Sequence, residues 1–328
     1  MKRRSTARII ATYIVVGGMV SIFLFDIAAV LLRNHLENSI AIGPETFQGS
    51  GETRFHFLNT GNSDCILIES EGRFALIDSG WGSNNPIAAV RRPGFEQRVI
   101  DYLKRVASDE NGIVHLDFVL PTHFHYDHAG GFLAIFSDPA IQAGRVYLSP
   151  RTGQASRDVL ITRQAIAQAA IARDFYIEEN LPDMPFPFGA MTLHFLNTEH
   201  SLRSNENDRS IVMLAEYGEF RALLTGDIYA NRGLEREIAR QVGGPVDLLK
   251  LPHHGYTLST SAAFLRMLRP KLAIVTNDAG KVYPNVMWNL TLVSRTPYLS
   301  TVLENGIIVT VGKNYRMIVT GDLHLPET

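Results

Sequence analysis

Residues 121–131 read Pro-Thr-His-Phe-His-Tyr-Asp-His-Ala-Gly-Gly and follow an apolar run that predicts a buried strand. His123 and His125 stand two residues apart, so both can face one point on an extended turn. Asp127 and His128 follow and can face a second point nearby. Imidazole nitrogens and carboxylate oxygens are ligands of first-row divalent metals such as zinc. The spacing therefore indicates a site for two metal ions; the alternative is a loop of solvated histidines.

The composition is ordinary for a globular α/β protein. The chain has 328 residues, of which 45% are hydrophobic and 20% charged, and a formal net charge of −2. Without the first 32 residues, 27 basic residues stand against 32 acidic ones, a formal charge of −5. An acidic body gives no support for tight, sequence-independent nucleic-acid binding, although a local basic groove stays open. The single cysteine, Cys65, excludes an internal disulfide.

The amino terminus predicts a membrane anchor. Residues 9–25 carry no charge and apolar sequence continues beyond Asp26, which gives about the twenty residues that a helix needs to cross a bilayer. Four cations precede this run, so the positive-inside rule places the amino terminus in the cytoplasm and the rest of the chain outside. We predict a single-pass protein of the cell membrane, with a cytoplasmic stub and transmembrane anchor at 1–32, a linker at 33–52 and a globular domain at 53–328. The alternatives are a signal peptide, whose cleavage would give a secreted protein, and a buried soluble helix.

Hydrophobic periodicity in the rest of the chain predicts a mixed sheet covered by helices. Strands and helices alternate, but some strands also pair as hairpins. Strands are predicted at 55–58, 65–68, 74–77, 116–120, 191–196, 210–216, 220–224, 246–251, 272–275, 306–311 and 315–319, and helices at 95–106, 157–173 and 262–268.

Three further polar motifs stand where strands are predicted to end. They are Ile77-Asp78-Ser79-Gly80, Leu224-Thr225-Gly226-Asp227 and Leu251-Pro252-His253-His254-Gly255. Each alone is a weak signal, because a Gly-Asp pair after a strand is usually a turn. Their order behind the histidine motif favours a common site.

The order of these motifs resembles that of the metallo-β-lactamase superfamily, over about Thr53 to Val319. The segments Phe57–Asp64, Asn207–Val212 and Leu251–Gly255 make the chain similar to the branch that holds the hydrolase domain of ComEC-type DNA-uptake proteins and phosphorylcholine esterases. The resemblance implies an αββα sandwich, with two sheets back to back, helices outside and metals at one edge.

The resemblance also implies which side chains hold metal. One ion would be held by His123 and His125, the other by Asp127, His128 and His253, with Asp227 as a bridge between them. His253 is preferred over His254 because it comes first off the strand. The broader superfamily supplies a third histidine to the first ion, and here water, Asn207 or a substrate oxygen would fill that place.

Other residues would support the chemistry. Asp78 would orient the histidine loop from behind the ligands, and Gly130 and Gly131 would let the backbone turn tightly into a helix. Asp127 and His254 are the predicted catalytic groups. Asp127 would move a proton, while His254 and Tyr256 would contact the anionic oxygen of the substrate.

The implied activity is that of a metal-dependent hydrolase. Two divalent ions about 3.5–4 Å apart, zinc or alternatively manganese, would hold a hydroxide at neutral pH. A phosphoester is the favoured bond, which leaves nuclease and small-molecule or lipid-linked phosphodiesterase open. A lactam, lactone or other amide or ester hydrolase is an alternative, and a catalytically degenerate metal-binding module is the alternative of another class. No protein partner is inferred, and DNA transport does not carry over from ComEC-type proteins because one membrane segment makes no channel.

Overall fold

The computed structural model describes residues 2–43, 53–87, 91, 93–151, 155–199, 203 and 205–325, apart from the side chains of residues 2–13 and 279. The helices are α1 (Lys2–Glu37), α2 (Glu96–Ala107), α3 (Tyr126–Ala129), α4 (Phe132–Ser137), α5 (Arg157–Ile171), α6 (Leu234–Val242), α7 (Ala262–Leu268) and α8 (Pro284–Trp288), the last followed by a π-helical turn at Asn289–Ser294. The strands are β1 (Ile42–Gly43), β2 (Thr53–Phe57), β3 (Ile66–Ser70), β4 (Arg73–Ile77), β5 (Val114–Leu120), β6 (Ile141–Ala143), β7 (Val146–Tyr147), β8 (Ile177–Glu178), β9 (Phe186–Phe188), β10 (Met191–Leu196), β11 (Val212–Tyr217), β12 (Phe220–Leu224), β13 (Leu248–Lys250), β14 (Leu272–Val275), β15 (Tyr298–Ser300), β16 (Ile307–Val311) and β17 (Met317–Gly321).

These strands form two sheets. The first has the order β1-β17-β16-β2-β3-β4-β5-β7-β8, with β6 also paired to β5, and the second has the order β15-β14-β13-β12-β11-β10-β9. Strands β4 and β5 run parallel in the first sheet, and β12, β13 and β14 run parallel in the second. The motifs at the carboxyl ends of these strands are therefore delivered to one edge of the protein.

Alternation of side chains along the strands sets the layers. On β2, Phe55 and Phe57 enter the core between the sheets, where Met213 of β11 also lies. His56 points the other way and its Nδ1 lies 2.7 Å from the hydroxyl of Tyr102 on α2. A second core packs α2, α4 and α5 on the first sheet, and a third packs α6, α7 and α8 on the second. The layers are helix, sheet, sheet and helix, which confirms the predicted αββα sandwich.

Helix α1 continues through Glu37, into the segment predicted as a linker. Its last turns stay helical because they have partners: Arg33 pairs with Glu37 at 2.7 Å and lies over the ring of Tyr298 at 5.0 Å. Beyond the helix, β1 pairs in parallel with β17, and residues 44–52 lie outside the described residues. From Ile14 to Glu37 the helix is long and apolar enough to be a candidate membrane span.

Candidate metal centre

Backbone hydrogen bonds tie the loops at the strand ends to one another. The amide of Asp78 donates to Leu120 O at 2.9 Å, and the amide of His253 donates to Gly226 O at 3.2 Å. Gly226 has φ 52°, and a Cβ there would lie 2.7 Å from the Cβ of Ser210. Glycine therefore allows the loop that carries Asp227 to approach the histidine loop closely.

At the centre of this edge, three side chains converge on one point. The Nε2 atoms of His128 and His254 lie 3.1 Å apart, and Oδ2 of Asp227 lies 3.2 Å from the first and 3.4 Å from the second. Oδ2 of Asp127 lies 3.6 Å from Nε2 of His254. His128, His254 and Asp227 are buried, so water is not the ready partner of these atoms.

The other nitrogen of each ring is already engaged. Nδ1 of His128 lies 2.8 Å from Oδ2 of Asp78, and Nδ1 of His254 lies 3.0 Å from Oγ1 of Thr276. Thr276 in turn donates to Asp64 at 2.5 Å, so its oxygen accepts from His254. With Nδ1 protonated on both rings, each Nε2 is an acceptor in the neutral tautomer. In that tautomer the two Nε2 atoms and the Asp227 carboxylate are converging acceptors, which is the chemistry of a cation site.

Asp64 and Lys250 lie behind the rings. Asp64, His128, Asp227 and His254 form a buried group that could hold a metal ion, with one ligand atom of each within 4.8 Å of the others. The Asp64 oxygens approach the Nδ1 atoms, at 3.6 Å for His128 and 3.3 Å for His254, and one of them pairs with Nζ of Lys250. Asp64 therefore lies where it can orient the two rings and neutralise Lys250, and the point between the two Nε2 atoms is the candidate position for an ion.

His123 and His125 form the adjacent half of the site. Nε2 of His123 lies 3.0 Å from Nδ1 of His125, and the centroids of the His123 and His128 rings are 4.1 Å apart. Nδ1 of His123 faces Oγ1 of Thr122 at 3.2 Å and Oγ of Ser210 at 3.3 Å. The pair of His123 and His125 thus lies beside the buried group that contains His128.

The two halves differ in their electrostatics. Burial, together with the nearby His128 and His125 rings, holds the pKa of His123 well below its usual value, so this ring is neutral and ready to ligate. Burial also opposes charge on His128, but the carboxylates of Asp227, Asp78 and Asp64 outweigh it and raise the pKa of His128 to about 10. Around His128, the negative charge of the carboxylates, which would bind a cation, is therefore balanced by protons when no cation is bound.

The sequence favours His253 as the metal ligand, but the structure places His254 in the buried group with Asp227. Nε2 of His253 is 4.0 Å from Oδ2 of Asp227, and its side chain is 21% exposed, whereas His254 is buried within the group. Both residues have left-handed backbone, with φ 50° and 52°, and Gly255 follows at φ 77°. This turn swings the second ring inward, so the geometry favours His254 as the ligand and leaves His253 at the mouth.

The remaining predicted residues lie around this mouth. The Tyr256 hydroxyl accepts from Nδ2 of Asn62 at 2.7 Å, and its ring centroid is 5.3 Å from that of His253. Asn207 is buried, donates to the Tyr229 hydroxyl at 2.8 Å and leaves its Oδ1 without a hydrogen-bond partner. An unpaired buried amide oxygen is an available acceptor or ligand.

Asp78 lies where an orienting carboxylate must be. It accepts from Nδ1 of His128, from the Thr122 amide at 2.7 Å and from the Thr122 hydroxyl at 2.8 Å, so it fixes the rotation of the His128 ring. Gly130 and Gly131 have ordinary helical φ values of −67° and −72°. A tight turn, as expected from the sequence, therefore does not explain why glycine is needed at these positions. A Cβ on Gly131 would lie 2.3 Å from Ser79 O, and close packing is what needs the glycine.

The chain belongs to the metallo-β-lactamase superfamily. The sequence-family model of that superfamily matches residues 58–276, which include the histidine motif and the loops that carry Asp78, Asp227 and His254. The predicted membership is thereby confirmed, and the chain is of a hydrolase superfamily with a candidate metal-binding group.

Curated relatives are similar over parts of their length. ComE operon protein 3 of Bacillus subtilis is 27% identical over 71% of this chain and 29% of its own length. Recombination protein 2 of Haemophilus influenzae is 27% identical over 76% of this chain and 27% of its own length. An N-acyl homoserine lactonase of a Bacillus species is 29% identical over 24% of this chain and 34% of its own length. The chain thus spans about a third or less of these relatives.

Proposed function

We propose that this protein is a metal-dependent hydrolase of phosphoesters, with phosphodiesters as its main substrates. The observation that carries the proposal is the pair of adjacent ligand groups at the strand ends, His123 with His125 and His128 with His254, next to the buried carboxylate of Asp227. Two cations side by side suit an in-line displacement at phosphorus, because both the attacking and the leaving oxygen need stabilisation.

The residues fit divalent ions such as zinc or manganese, which would be held by His123 and His125 and by His128, His254 and Asp227. When bound, such ions supply Lewis-acid charge and an activated water. Asp78 and Thr276 hold the His128 and His254 rings in rotation through their Nδ1 atoms. The ligand set therefore needs little reorganisation to receive an ion.

Asp127 is the group best placed to accept a proton from the attacking water. Its side chain is 22% exposed, so it reaches the mouth as well as the ligand group. Burial favours its neutral form, but the contacts with His254 and His128 prevail and hold the pKa of Asp127 below its usual value. A carboxylate that is ionised at neutral pH can serve as a base.

His253 is positioned to contact the substrate. Its Nδ1 is buried without a hydrogen-bond partner, and its ring lies between those of Tyr229 and Tyr256, at 4.9 Å and 5.3 Å. Burial holds the pKa of His253 below its usual value, so its ring is neutral. Neutral donors around the mouth can bind phosphate oxygens without competing with the ions for negative charge.

A lactone or related ester hydrolase is the second candidate. The similarity to a lactonase favours it, but that similarity covers only 24% of this chain. The same ions and the same base would serve attack on a carbonyl carbon. The two candidates differ in the bond cleaved, and a substrate panel separates them.

We also propose that α1 spans the cell membrane with the amino terminus in the cytoplasm and the catalytic domain outside. The run of cations before the apolar segment supports this orientation. The partners we propose are the membrane and a phosphoester substrate.

The test is metal analysis of the full chain in detergent, paired with a panel of a bis-aryl phosphodiester, a phosphomonoester, a lactone and a lactam. We expect two metal ions per chain and the highest kcat/KM on the phosphodiester. Asp227→Ala is expected to lose metal and turnover together. Asp117→Asn is the matched control, since Asp117 lies on β5 in a partly exposed ion pair with Arg73.

Several outcomes would contradict the proposal. Highest turnover on the lactone would replace it with the second candidate. One tightly held metal with no turnover of any substrate would leave a degenerate metal-binding module. Unchanged turnover in Asp227→Ala would refute the role of that carboxylate.

A further inference from the structure

Helix α1 has two parts with different surroundings. From Ile14 to Phe25 its side chains are exposed, so this part stands clear of the domain. From Asp26 onward one face of the helix lies against the domain, where Ala29 is fully buried, while Val30 and Leu31 on the other face stay exposed. The apolar part is thus free to enter a bilayer, while the part that follows is a docked connection.

The docking contact falls at the expected boundary of the bilayer. A span needs about 20 residues, and the uncharged run begins after Arg8, so the hydrocarbon region would end within a turn of Asp26. There Oδ1 of Asp26 accepts a hydrogen bond from Nε1 of Trp288 at 3.0 Å. Tryptophan is enriched at the membrane–water interface, where its ring is apolar and its N–H is satisfied. With α1 across the bilayer as proposed above, this contact would bring helix α8 to the membrane surface.

Helix α8 also borders the mouth of the metal centre. Tyr283, the residue before its first turn, has its ring centroid 5.5 Å from that of Tyr256. The Tyr256 ring is 6.3 Å from that of His254. Tyr283 and Tyr256 therefore connect the helix that carries Trp288 to the mouth of the metal centre.

The segments between the mouth and α1 carry exposed apolar side chains, beside exposed polar ones such as Lys281 and Arg295. Leu258, Tyr283 and Val293 are exposed there, Leu258 to 51%. Nδ2 of Asn289 donates to Thr260 O at 3.0 Å, which fixes the loop that carries Leu258 to the turn after α8. We call Leu258, Tyr283, Trp288 and Val293 the membrane rim.

We propose that the membrane rim rests on the bilayer and that the metal centre acts on the phosphoester headgroup of a lipid or lipid-linked molecule embedded in that same membrane. This inference rests on the proposed function and adds the class of substrate. Continuity of the rim with α1 carries it, because a docked span leaves the mouth little freedom to turn away from the bilayer. A headgroup in the membrane plane then meets the ions without leaving its acyl chains.

The first test locates the rim by fluorescence, because the chain has two tryptophans, Trp81 and Trp288. The full chain is reconstituted in phosphatidylglycerol–phosphatidylethanolamine vesicles with and without lipids brominated near the headgroup. Trp81→Phe leaves Trp288 as the reporter, and we expect strong quenching. Trp288→Phe leaves Trp81, which is separated from α8 by Asn62, Tyr256 and Tyr283, and we expect weaker quenching. Equal quenching, or none at Trp288, would overturn the placement of the rim.

The second test compares a fluorogenic phosphodiester lipid in those vesicles with the water-soluble bis-aryl phosphodiester. The double variant Leu258→Asp, Val293→Asp is expected to lower the ratio of vesicle rate to soluble rate at least fivefold. The double variant Leu160→Asp, Ile171→Asp, which places the same two charges at exposed sites on α5, should leave the ratio within twofold. An unchanged ratio in the double variant, or faster cleavage of single-stranded DNA than of the lipid, would overturn the inference alone. No cleavage of the soluble diester by the wild type would instead overturn the proposed function.

Discussion

Replacing the buried Lys250 is expected to destabilise the protein by about 3 kcal/mol. The side chain is fully buried at the end of β13, where it donates to Gly226 O at 3.0 Å, pairs with Asp64 and lies 3.7 Å from Oδ1 of Asp227. Unit charges about 4 Å apart interact by about 4 kcal/mol at an effective dielectric constant of 20. Removing one partner of such a pair leaves a buried charge uncompensated, which costs about 3–5 kcal/mol. Thr276 still donates to Asp64, so we expect the lower end of that range.

The assay is urea unfolding of the full chain in detergent after removal of metal by a chelator, followed by circular dichroism, for Lys250→Met. Lys271→Met is the matched control, because Lys271 pairs with Asp247 but is 72% exposed, and it should cost less than about 1 kcal/mol. The double variant with Asp64→Asn should recover at least about 1 kcal/mol, since contacting residues are coupled by roughly that amount. Added zinc should stabilise Lys250→Met more than the wild type, since the site becomes more negative. A loss below 1 kcal/mol, or one equal to that of Lys271→Met, would refute the reasoning.

Three further predictions concern the ligands, the ions and a buried carboxyl. His254→Ala is expected to weaken metal binding by more than about 100-fold, because loss of a ligand should cost more than loss of a residue that only orients one, which costs up to about 100-fold. His253→Ala should keep its metal and lose substrate affinity. Metal content is measured by mass spectrometry of the dialysed proteins, and equal metal loss in both variants would argue against the assignment. Chelation is expected to lower the melting temperature by roughly 5–10 °C, since ions at a hundred times their Kd stabilise a fold by about 2.7 kcal/mol, and no shift in a calorimetric scan would show that no ion was held. Burial raises the pKa of Glu235 to about 7 from an ordinary 4.5, so its protonated form stabilises the fold below pH 4.5 and that stability is lost as pH rises through 7. Relative to Glu235→Gln, the wild type should therefore gain about 2 kcal/mol between pH 7.5 and pH 5 in urea titrations, and a difference independent of pH would contradict a buried carboxyl.

The sandwich could be predicted because long, alternating strands carry a strong signal. Strands such as β3 and β11 present apolar residues to the inner core and bury the other face under helices. The sequence did not predict helices α3, α6 and α8 or strands β1, β6 to β9 and β15, because segments of two to nine residues are too short for a clear hydrophobic period. Their positions depend on packing against elements distant in sequence.

The site could be predicted only in its outline. The residue types of the histidine motif and Asp227 indicate a metal site. Which of His253 and His254 faces that site depends on a left-handed turn that residue spacing does not reveal. Lys250 was missed because a lysine at a strand end is usually solvated, and here it is buried. Asp64 belongs to Phe57–Asp64, one of the segments that carry the family resemblance, and only the fold shows that it faces Lys250.

The short pairing of Ile42 with Val319 and of Gly43 with Thr320 has a practical consequence. It covers part of the outer edge of β17, whose Ile318 is 55% exposed. A fragment cut to begin at Thr53 would bare the amides and carbonyls of this edge, together with the surface that Ala29 occupies. Uncovered strand edges recruit further strands, so such a fragment is expected to self-associate through β17. Soluble preparations should therefore keep β1, or carry a charge at position 318 that blocks edge-to-edge growth.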